Sequence, residues 1–509
     1  MKLHPLIPFL LLLVALPSFS QTSPPKREFR AVWIATVANI DWPSQKGLAS
    51  GVQQDEYRFI LKEQKKNGMN AVVVQVRPAA DAFYKKSREP WSVWLTGKQG
   101  TEPNPPYDPL EFMVDETHRH GMEFHAWFNP YRATFDTAFA SLAPGHISRT
   151  RPEWFLTYGG RKLFNPGLPE VREYITGIIL DVVRNYDVDA VHFDDYFYPY
   201  AVAGDTLRDD STFLAYGAGF TSKDDWRRHN VNLLIQQVSN SLKAAKPWVK
   251  FGISPFGVWR NRAEDPAGSD TRGGQTSYAH LYADSRGWLQ RGWIDYIVPQ
   301  IYFSTGHKQV NYASLLDWWT KNSYGRHLYV GQGAYKVARD RDSTWFDPAQ
   351  TGRQVRLNRT YRQVQGSIYF SSKSLMNNPL AVRDSLRERI YPYPALVPVM
   401  AWKDSVPPLP PAGLKTESDR DGVHLSWQPP ARAADGDTAR YYVVYRAEGK
   451  KAVDINHPAH IIGTQWAGRT FTDETVRKGQ KYQYAVTAVD RLHNESTPSG
   501  AARGKGKKR

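Results

Sequence analysis

The chain has 509 residues, 41% of them hydrophobic, no cysteine, and a formal net charge of +16. That length allows two or three separate cores. The missing thiols exclude disulfides, thiolate metal sites, a cysteine nucleophile and a lipid on cysteine. The charge points to polyanionic partners, which for an exported chain means anionic envelope glycans and lipid head groups rather than nucleic acid.

Residues 1–20 read as an export signal: Lys2, an apolar run over residues 6–16, then Ser18-Phe19-Ser20 as a small-x-small cleavage site. The run is shorter than the roughly 20 apolar residues of a membrane span, and no later stretch reaches that length. The expected location is periplasmic or secreted, with no membrane span. Short apolar runs then alternate with longer amphipathic ones. Strands are expected at 29–36, 71–77, 123–128, 190–195, 249–255, 296–303, 328–333 and 366–371. Helices are expected at 54–67, 110–120, 170–186, 224–245 and 278–291. Strict alternation of eight strands with helices predicts an α/β fold, a (β/α)8 TIM barrel over residues 28–395. A doubly wound sheet is the alternative, but no glycine-rich phosphate loop follows the first strand. Long connections at 78–121, 196–223 and 257–277 predict loops on the active face.

Val406-Pro-Pro-Leu-Pro-Pro411 is a stiff linker. Residues 407–502 carry period-two runs of a small all-β sandwich. Trp427 and the Tyr482-Gln-Tyr-Ala-Val run resemble a fibronectin type III domain. It is expected to act as a spacer or docking module, with possible cell-wall association and no part in catalysis. Residues 503–509 read as a disordered basic tail.

The densest chemistry lies in Val188-Asp-Ala-Val-His-Phe-Asp-Asp-Tyr-Phe-Tyr-Pro199. A buried strand here ends in adjacent carboxylates, Asp194 and Asp195, followed by aromatics. Barrel enzymes keep their chemistry at strand carboxyl ends, and carboxylates beside aromatic rings suit glycoside cleavage. An Asp-rich turn closing a strand would look the same locally. Strand parity places Val191 and Phe193 toward the helices and His192 and Asp194 inward. It also turns Gln75 and Arg77 inward on the second strand, His125, Trp127 and Asn129 to one face of the third, and Gln300 and Tyr302 to one face of the sixth. Arg77 and Arg132 either meet a substrate carboxylate or form ordinary salt bridges.

The motifs Phe29-Arg-Ala-Val-Trp33, Val74-Gln-Val-Arg-Pro78, His125-Ala-Trp-Phe-Asn-Pro-Tyr-Arg132, His192-Phe-Asp-Asp-Tyr-Phe-Tyr-Pro199, Gly252-Ile-Ser-Pro-Phe-Gly257 and Pro299-Gln-Ile-Tyr302 together resemble glycosyl-hydrolase-like family 10. These are bacterial envelope proteins with a TIM-barrel core. The family includes an enzyme that cleaves peptidoglycan glycan strands stripped of their stem peptides. The resemblance implies an exported glycoside hydrolase acting on a glycan polymer. Asp194, Asp195 and Tyr302 are its expected catalytic residues. Trp33, Gln75, Arg77, His125, Trp127, Asn129, Arg132, His192, Tyr196 and Gln300 are its expected substrate-binding residues. A non-catalytic carbohydrate-binding protein on the same scaffold is the alternative.

The seventh strand ends without an acid, against the common retaining barrel with a second carboxylate there. The fourth strand resembles the acidic strand of substrate-assisted chitinases, with Tyr302 in the place of their tyrosine. Tyr196, however, stands where those enzymes carry their acid glutamate. Asp295 is expected at the barrel floor, and Asp41 and Asp81 are outside candidates for a second carboxylate. No spacing of His118, His120 and His125 with acids builds a metal site, and no Gly-x-Ser-x-Gly elbow occurs. No cofactor is expected.

Overall fold

The computed structural model describes residues 24–135 and 141–507. The expected export signal lies outside them. No helix among the described residues is long and apolar enough to cross a membrane.

The strands are β1 Phe29–Ile34, β2 Ala71–Arg77, β3 Glu123–Phe128, β4 Phe155–Tyr158, β5 Arg161–Phe164, β6 Ala190–Phe193, β7 Lys250–Ile253, β8 Tyr296–Ile297, β9 His327–Gln332 and β10 Val364–Tyr369. Eight of them, all but β4 and β5, pair in parallel and close a barrel in the order β1-β2-β3-β6-β7-β8-β9-β10. Closure removes the doubly wound alternative. Each barrel strand sorts its side chains by parity. Val72, Val74, Val191 and Phe193 pack outward against the helices, while Phe29, Trp33, Val73, Tyr296 and Tyr329 fill the interior. The core is therefore two nested apolar layers.

Three local expectations change. The eight-residue strand expected over 296–303 shortens to Tyr296–Ile297, because Pro299 has no N–H to give the ladder. Pairing resumes at Gln300, in isolated bridges to Phe256 and Gly331. The single helix expected at 278–291 is two, Ser277–His280 and Ser285–Gln290. Tyr282 breaks it with a φ of 52°, and the Asp284 side chain starts the second by accepting from the Gly287 N–H. The β3–β6 connection holds an unexpected antiparallel hairpin, β4–β5.

The second domain has strands β11 Ala412–Ser418, β12 Val423–Gln428, β13 Tyr441–Glu448, β14 Ile461–Trp466, β15 Thr470–Asp473, β16 Lys481–Val489 and β17 Ala502–Lys505. They form sheets β11-β12-β15 and β14-β13-β16-β17. Trp427 and Tyr482 sit in the core between them. The expected disordered tail is corrected: Ala502–Lys505 pairs with β16, because a free sheet edge there supplies backbone partners.

Strand β13 is apolar on both faces. Tyr442 and Val444 face the sandwich core, whereas Tyr441, Val443 and Tyr445 pack with Leu396 of the barrel domain. The sandwich is thus docked under the barrel, and the reading of it as a spacer is corrected. Asp187 of the barrel pairs with Arg440 and Arg491 of the sandwich. His493 reaches the barrel floor, 2.6 Å from the Glu123 carboxylate. Glu123 also meets Lys250 and lies 3.1 Å from His125. Asp295 is at the same end, accepting from the Phe251 N–H at 2.9 Å and Trp402 at 3.0 Å.

Candidate active site at the carboxyl-terminal mouth

Strand β6 ends at Phe193 because the outward Val191 and Phe193 lock into the helical layer, and the chain must turn where the barrel ends. Beneath the turn, His192 points inward. Its Nδ1 lies 3.1 Å from the Tyr296 hydroxyl, and its Nε2 3.0 Å from Ser254 Oγ and 3.4 Å from Trp33 Nε1. Burial, with His125 adding to it, pushes the His192 imidazole well below its usual range, so it is neutral. This layer is a platform. Trp33 and His192 support the site from below.

On the platform sit Asp194 and Asp195, 4% and 5% exposed. Asp194 Oδ2 accepts from Trp127 Nε1 at 3.0 Å and Asn129 Nδ2 at 3.2 Å. Its Oδ1 accepts from the Tyr196 N–H at 3.3 Å. Asp195 Oδ1 accepts from Gln300 Nε2 at 3.0 Å, and its Oδ2 accepts from the Tyr200 hydroxyl. Gln300 also donates to the Ser254 carbonyl at 2.9 Å, which fixes its orientation. Burial first, and the neighbouring Asp195 charge second, push Asp194 up to about 7 against the pull of Arg132 and Trp127. Burial also raises Asp195, but the hydrogen bonds from Tyr200 and Gln300 favour its anion. The two titrate as a pair, with the proton best held on Asp194. A protonated carboxyl beside an ionised one is the division of labour that glycoside cleavage uses.

Around the pair, Arg132 lies 4.1 Å over the Tyr196 ring. Tyr196 meets Tyr200 edge-on at 5.2 Å. Tyr302 is half-buried and packs edge-on against Tyr335 at 5.7 Å. A cavity of about 390 Å3 opens beside Tyr196 and Tyr200, lined also by Arg132, Tyr158, Arg161 and Lys162. A second, of about 780 Å3, is lined by Asp81, Trp94, Lys98 and Phe135. The structure brings together Asp194, Asp195, Trp127, Asn129, Arg132, Tyr196 and Gln300, with Tyr302 near Asp195.

Three expected binding residues lie elsewhere. Gln75 points inward but spends its side-chain oxygen on the N–H groups of Thr36, at 3.2 Å, and Val37, at 2.9 Å. It holds the loop after β1. Arg77 does not face the mouth, because a bulge between Gln75 and Arg77 breaks strand parity. It is 1% exposed and grips Glu89 through two contacts of 2.6 Å, the salt-bridge alternative. His125 does point inward, but one layer too deep, bonded to Tyr296 at 2.8 Å and to Glu123. Asp41 is consumed by the Ala35 and Lys373 N–H groups and Ser371.

The sequence reading missed Tyr200, which binds Asp195, and the hairpin residues Tyr158, Arg161 and Lys162. A signal for the hairpin was present: Tyr158-Gly-Gly-Arg161 places two glycines between strand-like runs. Both glycines adopt positive φ, 55° and 69°. No local signal marked Tyr200.

Residues 28–347 match the Glycosyl hydrolase-like 10 family, and residues 411–506 match a fibronectin type III domain described as the SaeA third domain. The chain is 49% identical over 478 residues to Glycosyl hydrolase YngK of Bacillus subtilis (strain 168), covering 93% of this chain and 92% of that protein. It is 39% identical over 386 residues to Glycosyl hydrolase DigH of Escherichia coli (strain K12), covering 71% and 86%. The glycoside hydrolase domain of PgaB from Bordetella bronchiseptica aligns with a TM-score of 0.47 at 12% identity, covering 71% of this chain and 98% of that one. The chain belongs to the Glycosyl hydrolase-like 10 family and is a glycoside hydrolase carrying a fibronectin type III domain.

Proposed function

We propose that the protein is exported and cleaves amino-sugar glycan strands, foremost peptidoglycan strands freed of their peptides. The observation that carries this reading is the buried Asp194–Asp195 pair beside a cavity both aromatic and basic. Tyr158, Tyr196 and Tyr200 offer ring faces to sugars, and Arg132, Arg161 and Lys162 offer charge to a lactyl carboxylate. A neutral glycan would not need the cations.

In the proposed reaction, Asp194 donates its proton to the glycosidic oxygen as the bond from that oxygen to the sugar's anomeric carbon breaks. The carbonyl oxygen of the 2-acetamido group attacks the anomeric carbon and forms a cyclic cation. The Asp195 carboxylate, held by Tyr200 and Gln300, accepts from the acetamido N–H and balances the charge. Tyr302 orients the same group. Water then opens the ring, and its proton returns to Asp194. Asp41 is fully bound within the fold, so it is not free to act as the second carboxylate.

The test is incubation of purified protein with peptide-free glycan strands, with soluble oligosaccharides read by mass spectrometry. Release is expected from N-acetylated strands and none from chemically de-N-acetylated ones. Equal release from both would sink the acetamido route. No release from either between pH 4 and 9 would sink the substrate assignment.

A further inference from the structure

Below the barrel floor, three carboxylates converge where the chain passes from one domain to the other. Asp404 belongs to the segment leaving the barrel, Asp437 to the loop between β12 and β13, and Asp490 directly follows β16. One oxygen of each lies within 4.8 Å of one oxygen of each of the others. The cations nearest them in sequence all turn elsewhere: Lys403 pairs with Asp295, and Arg440 and Arg491 both pair with Asp187. Among the described residues, none of the three is in an ion pair, in a chain with 66 Lys and Arg against 50 Asp and Glu.

A second observation concerns the bonding of Asp490 rather than the spacing of the three. Asp490 is 1% exposed, and its Oδ2 is buried with no hydrogen-bond partner among the described residues. A buried carboxylate oxygen left so costs free energy unless something compensates it. Its other oxygen is fixed by the N–H groups of Leu492 at 2.8 Å and Asn494 at 2.9 Å. Asp404 is similarly held, Oδ1 by the Val406 N–H at 2.9 Å and Oδ2 by Asn494 Nδ2 at 3.0 Å. Asp437 Oδ1 accepts from the Thr438 N–H at 2.7 Å. The carboxylates are therefore oriented as well as close.

We propose that Asp404, Asp437 and Asp490 bind a calcium ion that ties the linker to two loops of the sandwich. The donor set is all oxygen, which suits a hard cation and not zinc or copper. Three carboxylates on separate segments, one open to solvent, suit the irregular coordination of calcium, which takes six to eight oxygens with water filling the remainder. Magnesium requires a tighter octahedron. The role is mechanical: one ion joins a segment of the barrel domain to the sandwich.

The test uses the full chain after chelator treatment, titrated calorimetrically with CaCl2 at pH 7.5 and melted with and without the ion. One saturable site per chain is expected, with a dissociation constant of about 1 mM or tighter. Saturation should raise the melting temperature by about 2 °C or more. Asp437→Asn, at an exposed position that leaves folding intact, and Asp404→Asn should each weaken binding about tenfold or more, while Asp421→Asn, outside the cluster, should not. Equal affinity for MgCl2 would overturn the assignment to calcium. Absence of saturable binding, or binding unchanged in both cluster variants, would overturn the site.

Discussion

The barrel buries carboxylates at both ends of its axis and treats them in opposite ways. At the floor, burial alone would raise Glu123, but Lys250 and His493 pull it well below the usual range. At the mouth, burial and the adjacent Asp195 lift Asp194 to about 7, and Arg132 offsets only part of that. The floor carboxylate is held by the Lys250 cation and by hydrogen bonds from His125 and His493, the last sent from the sandwich, and its role is to hold the domains together. The mouth carboxylate receives hydrogen bonds but, among the described residues, no ion-pair partner in contact, so it keeps a proton to give. Equal burial serves cohesion at one end and chemistry at the other. The partners make the difference.

The largest way to break this contrast is at the floor. Glu123→Gln leaves the buried Lys250 without its counter-ion. It should cost about 3–5 kcal/mol of stability, the usual penalty for half of a buried pair. Denaturant unfolding measures this, and activity per folded molecule should stay near wild type. A chain ending at Asp404 should show the same weakness, because it uncovers Glu123, Asp187 and Leu396 together.

At the mouth, Asp194→Asn should lower glycan cleavage by at least about 100-fold, the low end for loss of general acid catalysis. Folding should survive. A fully active Asp194→Asn protein would remove Asp194 from the mechanism.

The pH dependences should separate the ends. Glu123 has a folded value below the ordinary 4.5, so its stabilisation is present above 4.5 and is lost as pH falls through the folded value. Asp194 has the opposite sign. Its folded value, about 7, exceeds the ordinary 3.8, so stability is lost as pH rises from about 3.8 to about 7. Asp194→Asn should therefore raise the melting temperature at pH 8 and leave it nearly unchanged at pH 4. Wild-type cleavage should fall as pH climbs past about 7 and the acid loses its proton. A melting temperature for Asp194→Asn that rises equally at both pH values would contradict this assignment of charge.

The smallest effect sharpens the roles within the mouth. Tyr200→Phe removes one hydrogen bond from Asp195, worth about 0.5–1.5 kcal/mol, and should reduce cleavage by about 2- to 10-fold. Because it weakens the Asp195 anion, it should also shift the pH profile. A drop as deep as that of Asp194→Asn would give Tyr200 a direct part in the reaction.

Much of this was determined by the sequence alone. The alternation of apolar runs fixed eight parallel strands, because period and length are local properties that packing need only confirm. The two aspartates after Phe193 marked the active face for the same reason: a strand that ends in acids cannot continue into the core. Alternation also placed Trp127, Asn129 and Gln300 on the faces that meet those aspartates. Only the tertiary structure decided who pairs with whom. Strand parity sent Arg77 inward, but a bulge turned it to Glu89, and a pairing that depends on one irregular residue has no periodic signature. Parity gave His125 its direction and not its depth. Tyr200 and the hairpin cations reach the mouth from loops whose paths follow no repeat. His493 reaches Glu123 across 370 residues of sequence. The directions of side chains are set by neighbours along the chain, whereas the partners that tune a buried carboxylate come from segments that meet only when the barrel closes and the sandwich docks.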